Sequence, residues 1–299
     1  MKIVNIIGGL GNQMFQYAFA LSLKERNPEE EVLIDTSHFN YIFIKKFRSA
    51  NLHNGYEINK VFHNAPLKVA KATQLMKLTW YMPNYFLSRL IRRALPPRKT
   101  EIIQEVNQFF AYDKKVYEIT GDCYFEGIWE AISYHLPNRI YIQKVFSHGE
   151  PNNINAKYIK DIESTNSVGI HIRRGDYLMH PAFRGICDLV YYKKAIDEIN
   201  KDGLIHNFYI FSNDISWCET NIKPLVKGHN YEPITCNVGD NSCWDMFLMS
   251  YCKDLIIANS SFSWWGAFLN NRGGRVIAPG KWVNRDAEFD IWAPEWIKI

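Results

Sequence analysis

Several patterns that mark common protein classes are missing from this 299-residue sequence. No two aspartates stand one residue apart, so a frequent motif for holding a divalent metal is absent. The six cysteines include no C-x-x-C pair, which argues against zinc and thioredoxin-type sites and favours reduced thiols. A net charge of +4 is too small to indicate a nucleic-acid-binding protein.

Long uninterrupted apolar stretches are missing too. Residues 1–23 are nearly uncharged, but four amide side chains interrupt them: Asn5, Asn12, Gln13 and Gln16. No signal-peptide cleavage motif follows this segment, and no other stretch has the length and apolar character needed to span a bilayer. We therefore expect a soluble or peripheral protein in the cytoplasm, with any membrane contact made from its inner face.

Acidic residues are absent between Glu57 and Glu101. Basic residues accumulate in the same region: Lys68, Lys71, Lys77, Arg89, Arg92, Arg93, Arg98 and Lys99. A solvated basic face on a helical insertion is the simpler interpretation. The alternative is a surface that meets anionic lipid or a lipid-linked molecule.

What is present is the composition of a globular protein, 47% hydrophobic and 15% aromatic. We assign most of the rings to the core, and some could face a ligand that has both polar and apolar surfaces. Short apolar runs alternate with helical periodicity along both halves of the chain, which predicts parallel α/β sheets. The polar stretch near 147–155 predicts a boundary between an α/β domain at 1–150 and a second at 151–299, facing each other across a cleft.

A glycine-rich turn, GGLGN, follows the first predicted strand. With Asp35 ending the next strand it invites a dinucleotide-binding interpretation, but Met14 stands where the third glycine of that fingerprint belongs. The turn could instead let the backbone approach a ligand, with Asn12 and Gln13 offering amides that suit a neutral polyol. A tight turn without a ligand explains this segment equally well.

The segment VGIHIRRGDY is the strongest chemical signal in the chain. Strand periodicity puts His171 and Arg173 on one face and Arg174 on the other. At the carboxyl end of a parallel strand, such side chains point toward the crevice where α/β folds bind ligands. An arginine fork binds two phosphate oxygens at once and stays charged, so it could stabilise a departing diphosphate in place of a metal.

Two further strand ends repeat this arrangement. FYIFSND ends at Asp214, and DLIIANSSFS places polar side chains at a helix N-terminus, where caps and anion sites are both common: Asn259, Ser260, Ser261 and Ser263. Asp245, in the first turn of the preceding predicted helix, could be a cap or could accept two N–H bonds from guanine.

Together these motifs resemble those of a known family. GGLGNQMFQYAFA, HIRRGDY, FSND with the Trp217 that follows it, and DMFLMSYCKDLIIANSSFSWWGAFL look like segments of the bacterial α-1,2-fucosyltransferases of glycosyltransferase family eleven, in the family's order from Gly8 to Leu269. The resemblance implies a GT-B fold, GDP-L-fucose as donor, a galactose-terminated oligosaccharide or glycolipid as acceptor, inversion at the anomeric carbon, and no metal or other cofactor.

The resemblance also implies roles for particular residues. Arg173 would bind the donor phosphates, Asp245 would contact guanine, and a serine among Ser260, Ser261 and Ser263 would contact phosphate. Asn12 would lie near the reacting sugar. No carboxylate occupies the LMHPAFRG stretch where related enzymes carry a base, so Asp176, His180 and the leaving phosphate remain alternative proton acceptors.

Two other classes of function remain open at this point. A nucleotide-sugar reductase or epimerase that uses NAD(P) would explain the glycine-rich start and Asp35. A non-catalytic glycan-binding protein would explain the abundant aromatic rings. Fucosyl transfer to O2 of a terminal galactose, on a cell-surface glycan precursor such as an O-antigen unit, is the interpretation that the arginine strand, the polar helix N-terminus and the family resemblance favour together.

Overall fold

The computed structural model describes residues 1–39, 54–82 and 85–299, with the backbone alone at 85, 86 and 89. These residues form two compact units. The first unit comprises Met1–Ser147 with Ala287–Ile291, and the second comprises His148–Asp286 with Trp292–Ile299. Sequence reasoning did not anticipate that 287–291 would return to the first unit. Residues 40–53 and 83–84 lie outside the described residues.

The first unit is built on a parallel sheet with the strand order β3-β2-β1-β5-β4. The strands are β1 (Lys2–Asn5), β2 (Val32–Asp35), β3 (Lys68–Val69), β4 (Glu101–Ile103) and β5 (Cys123–Glu126). In the centre, Lys2 of β1 pairs with Val32 on one side and with Cys123 on the other. The predicted first and second strands are thereby confirmed.

Helices cover this sheet and supply its core. They are α1 (Leu10–Arg26), α2 (Ile58–Val61), α3 (Ala72–Leu78), α4 (Tyr85–Ala94) and α5 (Arg139–Val145). Helix α1 is buried almost all round from Gln13 to Leu23, as expected for a helix enclosed in a core. Phe19 on this helix stacks on Trp129 with ring centroids 4.2 Å apart, so these rings belong to the core, as expected.

The basic segment between positions 68 and 99 is partly neutralised inside the first unit. Lys77 Nζ lies 2.6 Å from Asp122 Oδ2, and Arg92 Nη2 lies 3.1 Å from Glu101 Oε1. The Arg98 guanidinium stacks over the indole ring of Trp80, in the same segment. Lys77 stays exposed within its ion pair, and four further basic side chains are exposed: Lys68, Lys71, Arg93 and Lys99. The side chain of Arg89 lies outside the described set.

The second unit is also built on a parallel sheet, with the order β11-β10-β9-β6-β7-β8. Its strands are β6 (Ser167–Ile172), β7 (Asn207–Ser212), β8 (Asn230–Ile234), β9 (Asp254–Ile256), β10 (Val276–Ala278) and β11 (Ile297–Lys298). Every residue of β6 is buried, because this strand lies in the interior of the sheet under helices.

Six α-helices belong to the second unit. They are α6 (Asn153–Glu163), α7 (Asp176–Met179), α8 (Leu189–Ile199), α9 (Ile215–Asn221), α10 (Cys243–Tyr251) and α11 (Ser261–Leu269). Apolar side chains of β6 pack with Ala195 and Ile196 of α8 and with Ile222 after α9. The strands and helices predicted between residues 167 and 278 are confirmed.

The structure therefore has the two parallel α/β units that the sequence predicts, and this is the architecture of a GT-B fold. Among the described residues, no helix has both the length and the apolar character required to cross a membrane.

Candidate active site

Three neighbouring strands end at one edge of the second sheet. Strand β6 lies between β7 and β9, with Ile172 paired to Ser212 and Ile170 paired to Ile256. Because the strands are parallel, the residues that follow them meet at the edge where open α/β sheets bind ligands. This edge therefore gathers the arginine pair, the FSND segment and the polar residues before α11.

Arg173 is the arginine of the pair with the more exposed guanidinium. Its side chain is 37% exposed, and Nη2 donates to Asp176 Oδ2 at 3.1 Å and lies 2.9 Å from Asp176 Oδ1. The Asp176 side chain is itself 59% exposed. An exposed pair of this kind is weak, so Arg173 can exchange its partner for a more highly charged anion at little cost.

Arg174 is held inside the second unit. Its Nε donates to Asp214 Oδ2 at 3.0 Å, and its guanidinium carbon lies 4.1 Å from the centre of the Trp217 ring. Asp214 also caps helix α9, because its Oδ1 accepts from the Trp217 backbone N–H at 3.1 Å. These contacts give Arg174 and Asp214 a shared task of joining the end of β6 to α9.

The turn after the arginines depends on a glycine and an asparagine. The Arg174 backbone N–H donates to Asn213 Oδ1 at 2.9 Å. Gly175 has a φ of 39°, and a Cβ at this position would lie 2.6 Å from Asn213 Nδ2. A side chain at 175 would therefore strain the backbone and displace the amide that orients the turn.

His171 is buried beside Arg173 and faces the first turn of α11. Its ring centroid lies 5.9 Å from that of Phe262, and its Nδ1 is buried without a hydrogen-bond partner. Burial, with the neighbouring Arg173 charge, lowers the pKa of His171 to about 3. The ring is therefore neutral at physiological pH and accepts a proton poorly.

Two of the polar side chains before and within α11 are occupied by the protein itself. Asn259 Nδ2 donates to the Trp282 carbonyl at 3.1 Å, and its Oδ1 accepts from the Cys187 thiol at 3.4 Å. The hydroxyl of Ser263 is fully buried and points to the Ala258 carbonyl at 3.3 Å. Asn259 and Ser263 therefore shape the strand-to-helix turn from inside.

The remaining serines stand at the start of the helix. Ser260 is the N-cap of α11 and makes no side-chain capping bond to the helix, and Ser261 is its first residue. The first-turn N–H groups of a helix have no partner within that helix and favour an anion. Of the three serines, Ser261 is partly exposed, whereas Ser260 and Ser263 are buried.

Asp245 lies in the first turn of α10 and is largely removed from solvent. Burial raises the pKa of Asp245 to about 7, and a hydrogen bond from Asn237 works in the opposite direction. Asn237 Nδ2 donates to Asp245 Oδ1 at 2.9 Å. A carboxylate that is short of donors will bind N–H groups of a ligand strongly.

The glycine-rich turn of the first unit uses one of its amides for structure. Gln13 is fully buried, its Nε2 donates to the carbonyls of Gly8 and Gly55, and its Oε1 accepts from the Glu57 N–H at 2.8 Å. The expectation that Gln13 offers its amide to a ligand is wrong, because all these groups are used on the backbone. Asn12 stands one residue earlier on α1 and is partly exposed.

Asp35 has a structural task as well. Its Oδ2 accepts from the Tyr124 hydroxyl at 2.7 Å, and its Oδ1 accepts from the Ser37 N–H at 2.9 Å. The residue is buried within the first unit. Asp35 therefore does not offer the exposed carboxylate that a dinucleotide ribose would require.

A family model supplies the decisive comparison. The model described as glycosyl transferase family 11 matches residues 1–299, which is the whole length of this chain. The chain belongs to glycosyl transferase family 11. The resemblance seen in its motifs is thereby confirmed, and this family 11 chain is a glycosyltransferase.

Individual relatives agree with the family assignment. The family 11 chain is 33% identical to an alpha-1,2-colitosyltransferase of Escherichia coli, over 99% of this chain and 98% of that protein. It is 24% identical to galactoside alpha-(1,2)-fucosyltransferase 2 of Hylobates lar, over 100% of this chain and 79% of that protein. Among solved structures, the fucosyltransferase NodZ from Bradyrhizobium superposes with a TM-score of 0.51 at 13% identity, covering 89% of this chain and 91% of NodZ. The last similarity supports the GT-B fold.

One cluster of potential metal ligands lies away from the candidate site of this family 11 enzyme. Within the described residues, Asp202, His206 and Asp254 bring three ligand-type atoms within 4.8 Å of one another. Arg275 Nη2 already pairs with Asp202 Oδ2 at 2.7 Å and with Asp254 Oδ2 at 2.6 Å. Because β9 begins at Asp254, the cluster lies at the opposite edge of the sheet, where it joins structural elements through a guanidinium.

Several residues of the family 11 site were not found by sequence reasoning. Asn213 was visible in the FSND segment, but only the turn geometry shows that it holds the Arg174 backbone. Trp217 and Cys187 carry no local signal that would connect them with Arg174 or Asn259. Asn237 is likewise brought to Asp245 only by the folding of the chain around β8 and α10.

Proposed function

We propose that this family 11 enzyme transfers L-fucose from GDP-L-fucose to O2 of a terminal galactose, with inversion at the anomeric carbon. The single observation that carries the proposal is the accessible Arg173 guanidinium at the carboxyl edge of β6, beside the N-terminus of α11. An arginine fork and a helix N-terminus at one edge of the sheet together suit the two phosphates of a nucleotide sugar.

In this reaction the bond between the fucosyl anomeric carbon and the β-phosphate oxygen breaks, and a bond from that carbon to galactose O2 forms. Negative charge develops on the departing diphosphate. Arg173 stabilises that charge more in the transition state than in the ground state, and a metal is not required for this. Ser260, Ser261 and the first N–H groups of α11 bind phosphate oxygens beside it.

The guanine base lies against Asp245 in this proposal. The carboxylate accepts the N1–H and the exocyclic N–H of guanine, two donors that adenine does not present in this pattern. Arg174 and Asp214 hold the turn that follows β6. They affect donor binding indirectly, because they fix the position of Arg173.

The proton released from galactose O2 needs an acceptor. His171 is a poor general base, because its lowered pKa of about 3 lies far from working pH. His180 Nδ1 accepts from the Ala182 N–H at 3.2 Å, which occupies that ring nitrogen. We assign Asp176 to orienting Arg173, and the departing diphosphate takes the proton.

A second donor sugar is favoured by one observation, the 33% identity with an alpha-1,2-colitosyltransferase. Colitose in place of fucose would leave the roles of Arg173 and Asp245 unchanged, because neither contacts the sugar ring in this proposal. Parallel assays with GDP-fucose and GDP-colitose distinguish the two transfers. If the enzyme prefers GDP-colitose, the donor sugar in the proposal changes from fucose to colitose and the mechanism stays the same.

We place the reaction in the synthesis of a cell-surface glycan, at the inner face of the membrane. The exposed Lys68, Lys71, Arg93 and Lys99, with no acidic residue between Glu57 and Glu101, support contact with anionic lipid. Sedimentation with vesicles containing phosphatidylglycerol, compared with phosphatidylcholine alone, tests this localisation. Equal sedimentation with both vesicle types would remove the electrostatic contact from the proposal.

The central experiment is incubation of the purified protein with GDP-fucose, a β-galactoside and EDTA. We expect an α-1,2-linked product, identified by NMR, at the rate measured without EDTA. Absence of turnover with every β-galactoside, or turnover only after metal is added, would overturn the proposal. Tight NADPH binding without GDP binding would favour a reductase, and galactoside binding that is unchanged in Arg173→Ala, without turnover, would favour a lectin.

A further inference from the structure

Asp245 is connected to the start of the second unit through a chain of asparagine amides. Asn237 Nδ2 donates to Asp245 Oδ1 at 2.9 Å and to Asn155 Oδ1 at 3.0 Å. In return, Asn155 Nδ2 donates to Asn237 Oδ1 at 3.0 Å. The two amides therefore pair face to face, and the carboxylate completes the chain.

The orientation of each amide follows from a backbone donor. Asn152 caps α6, and its Oδ1 accepts from the Asn155 backbone N–H at 2.9 Å, so the oxygen of Asn152 must point there. The same oxygen accepts from Asn155 Nδ2 at 3.2 Å, which fixes the Asn155 amide. The Asn237 amide is then fixed as well, since only its Nδ2 can face Asn155 Oδ1. Asp245 Oδ1 consequently faces the Nδ2–H group of Asn237 and not its carbonyl oxygen.

These amide contacts restrain the Asp245 carboxylate, which binds the guanine base in the proposed function. Asn155 is fully buried, so its amide cannot turn away to water without leaving polar groups unpaired. One N–H from Asn237 occupies part of Asp245 Oδ1 and leaves Oδ2 and the other lone pairs of the carboxylate for a ligand. A carboxylate without that N–H could rotate about its terminal bond, since such rotations are soft.

We propose that Asn237, backed by Asn155, is a positioning residue that fixes the Asp245 carboxylate for recognition of the guanine edge. Asn237 does not touch the base in this proposal. It sets the direction of the two carboxylate oxygens, and so the preference for a base that presents two adjacent N–H donors. The inference rests on the proposed role of Asp245 in binding GDP.

A merely structural role for Asn237 predicts a different result. Its amide also ties the start of α6 to α10, and loss of that tie would lower stability and weaken all nucleotides equally. Positioning of Asp245 instead predicts a change in the ratio of affinities between bases. Inosine diphosphate is the sharpest probe, because it lacks the exocyclic amine of guanine and keeps the N1–H.

The experiment measures GDP and IDP dissociation constants by calorimetry for the intact protein and for Asn237→Ala. We expect the intact protein to prefer GDP, and the preference to fall about tenfold in the variant, the effect of one hydrogen bond to a charged group. With GDP-fucose as substrate, KM should rise more than kcat falls. Asn230→Ala is the matched control, because its Nδ2 donates to Asn207 Oδ1 in an exposed amide pair at 2.8 Å.

Asp245→Ala separates failure of this inference from failure of the proposed function. If Asp245→Ala abolishes the GDP preference and Asn237→Ala keeps it, the positioning role is overturned and the GDP site stands. If the preference survives in Asp245→Ala, or the intact protein does not bind GDP, the proposed site fails. If Asn237→Ala does not fold, the same affinities are measured for Asn237→Ser, because the shorter serine side chain cannot reach both Asp245 and Asn155.

Discussion

Arg174 Nε donates to Asp214 Oδ2 at 3.0 Å, while the other oxygen of the same carboxylate caps helix α9. The adjacent Arg173 pairs with Asp176, whose side chain is itself exposed. Two neighbouring arginines with the same chemistry thus have different tasks. One builds the turn, and the other is accessible to an anion.

Arg173→Lys should keep the fold and lower kcat by about a hundredfold, because an ammonium group cannot reproduce a two-pronged contact with the diphosphate. The measurement is initial rate at saturating GDP-fucose, with the thermal midpoint recorded in parallel. Arg184→Lys, at an exposed arginine in the following loop, is the matched control. Near-normal activity of Arg173→Lys would move the main phosphate contact to Ser260 and Ser261.

Arg174→Ala and Asp214→Ala should each lower the free energy of unfolding. A double-mutant cycle should give a coupling of about 1 kcal/mol or less, because both side chains keep some solvent contact. Asp214→Ala should cost more than the coupling alone, since it also removes the α9 cap, worth about 1 kcal/mol. Urea unfolding followed by circular dichroism measures these values. Strictly additive losses would show that the Arg174–Asp214 contact contributes no stability.

Asp176→Asn distinguishes orientation of Arg173 from general-base catalysis. If Asp176 orients the guanidinium, the neutral amide should lower kcat modestly, by about tenfold or less, and leave the shape of the pH–rate profile unchanged. Loss of a general base would lower kcat by about 10²–10⁴-fold. Rates between pH 5 and pH 9 decide between these outcomes, with His180→Gln measured beside it.

Asp245→Asn should raise the stability of the ligand-free protein while weakening GDP. The raised pKa of about 7 means that the folded state retains a proton which the unfolded chain, with an ordinary value of 3.8, has released. The wild type therefore loses stability as pH rises from about 4 to about 7, and the variant does not. At pH 8 we expect the variant to be more stable by roughly 2 kcal/mol, below full conversion of the shift because some solvent screening remains.

Thermal melts at pH 4.5 and pH 8 measure this difference in stability. Calorimetry with GDP measures the expected loss of GDP affinity. The stability gain should be larger at pH 8 than at pH 4.5. The same gain at both pH values would show that ionisation of Asp245 is not its source. GDP affinity of the wild type should also weaken below pH 7, where the carboxylate must lose a proton before it can accept the guanine N–H groups.

The sequence by itself determined the fold class and the family of this protein. Apolar runs such as SVGIHI and NFYIFS end in polar turns, and their short length and β-branched or aromatic residues separate them from helices. Strands β3, β4, β5, β8 and β11 were not identified, because segments of only two to five residues carry little periodic signal. The motif HIRRGDY also located the arginine pair before any tertiary contact was known.

Only the tertiary structure decided which member of each motif is accessible. Arg173 and Arg174 are equivalent in the sequence, and so are Ser261 and Ser263 at the start of α11. Their difference comes from partners distant along the chain, such as Asp214 for Arg174 and the carbonyl of Ala258 for the buried Ser263 hydroxyl. Local patterns report what a strand or helix end can offer. Burial and long-range hydrogen bonds decide which of those groups the protein uses for itself, because each buried polar group must find a partner.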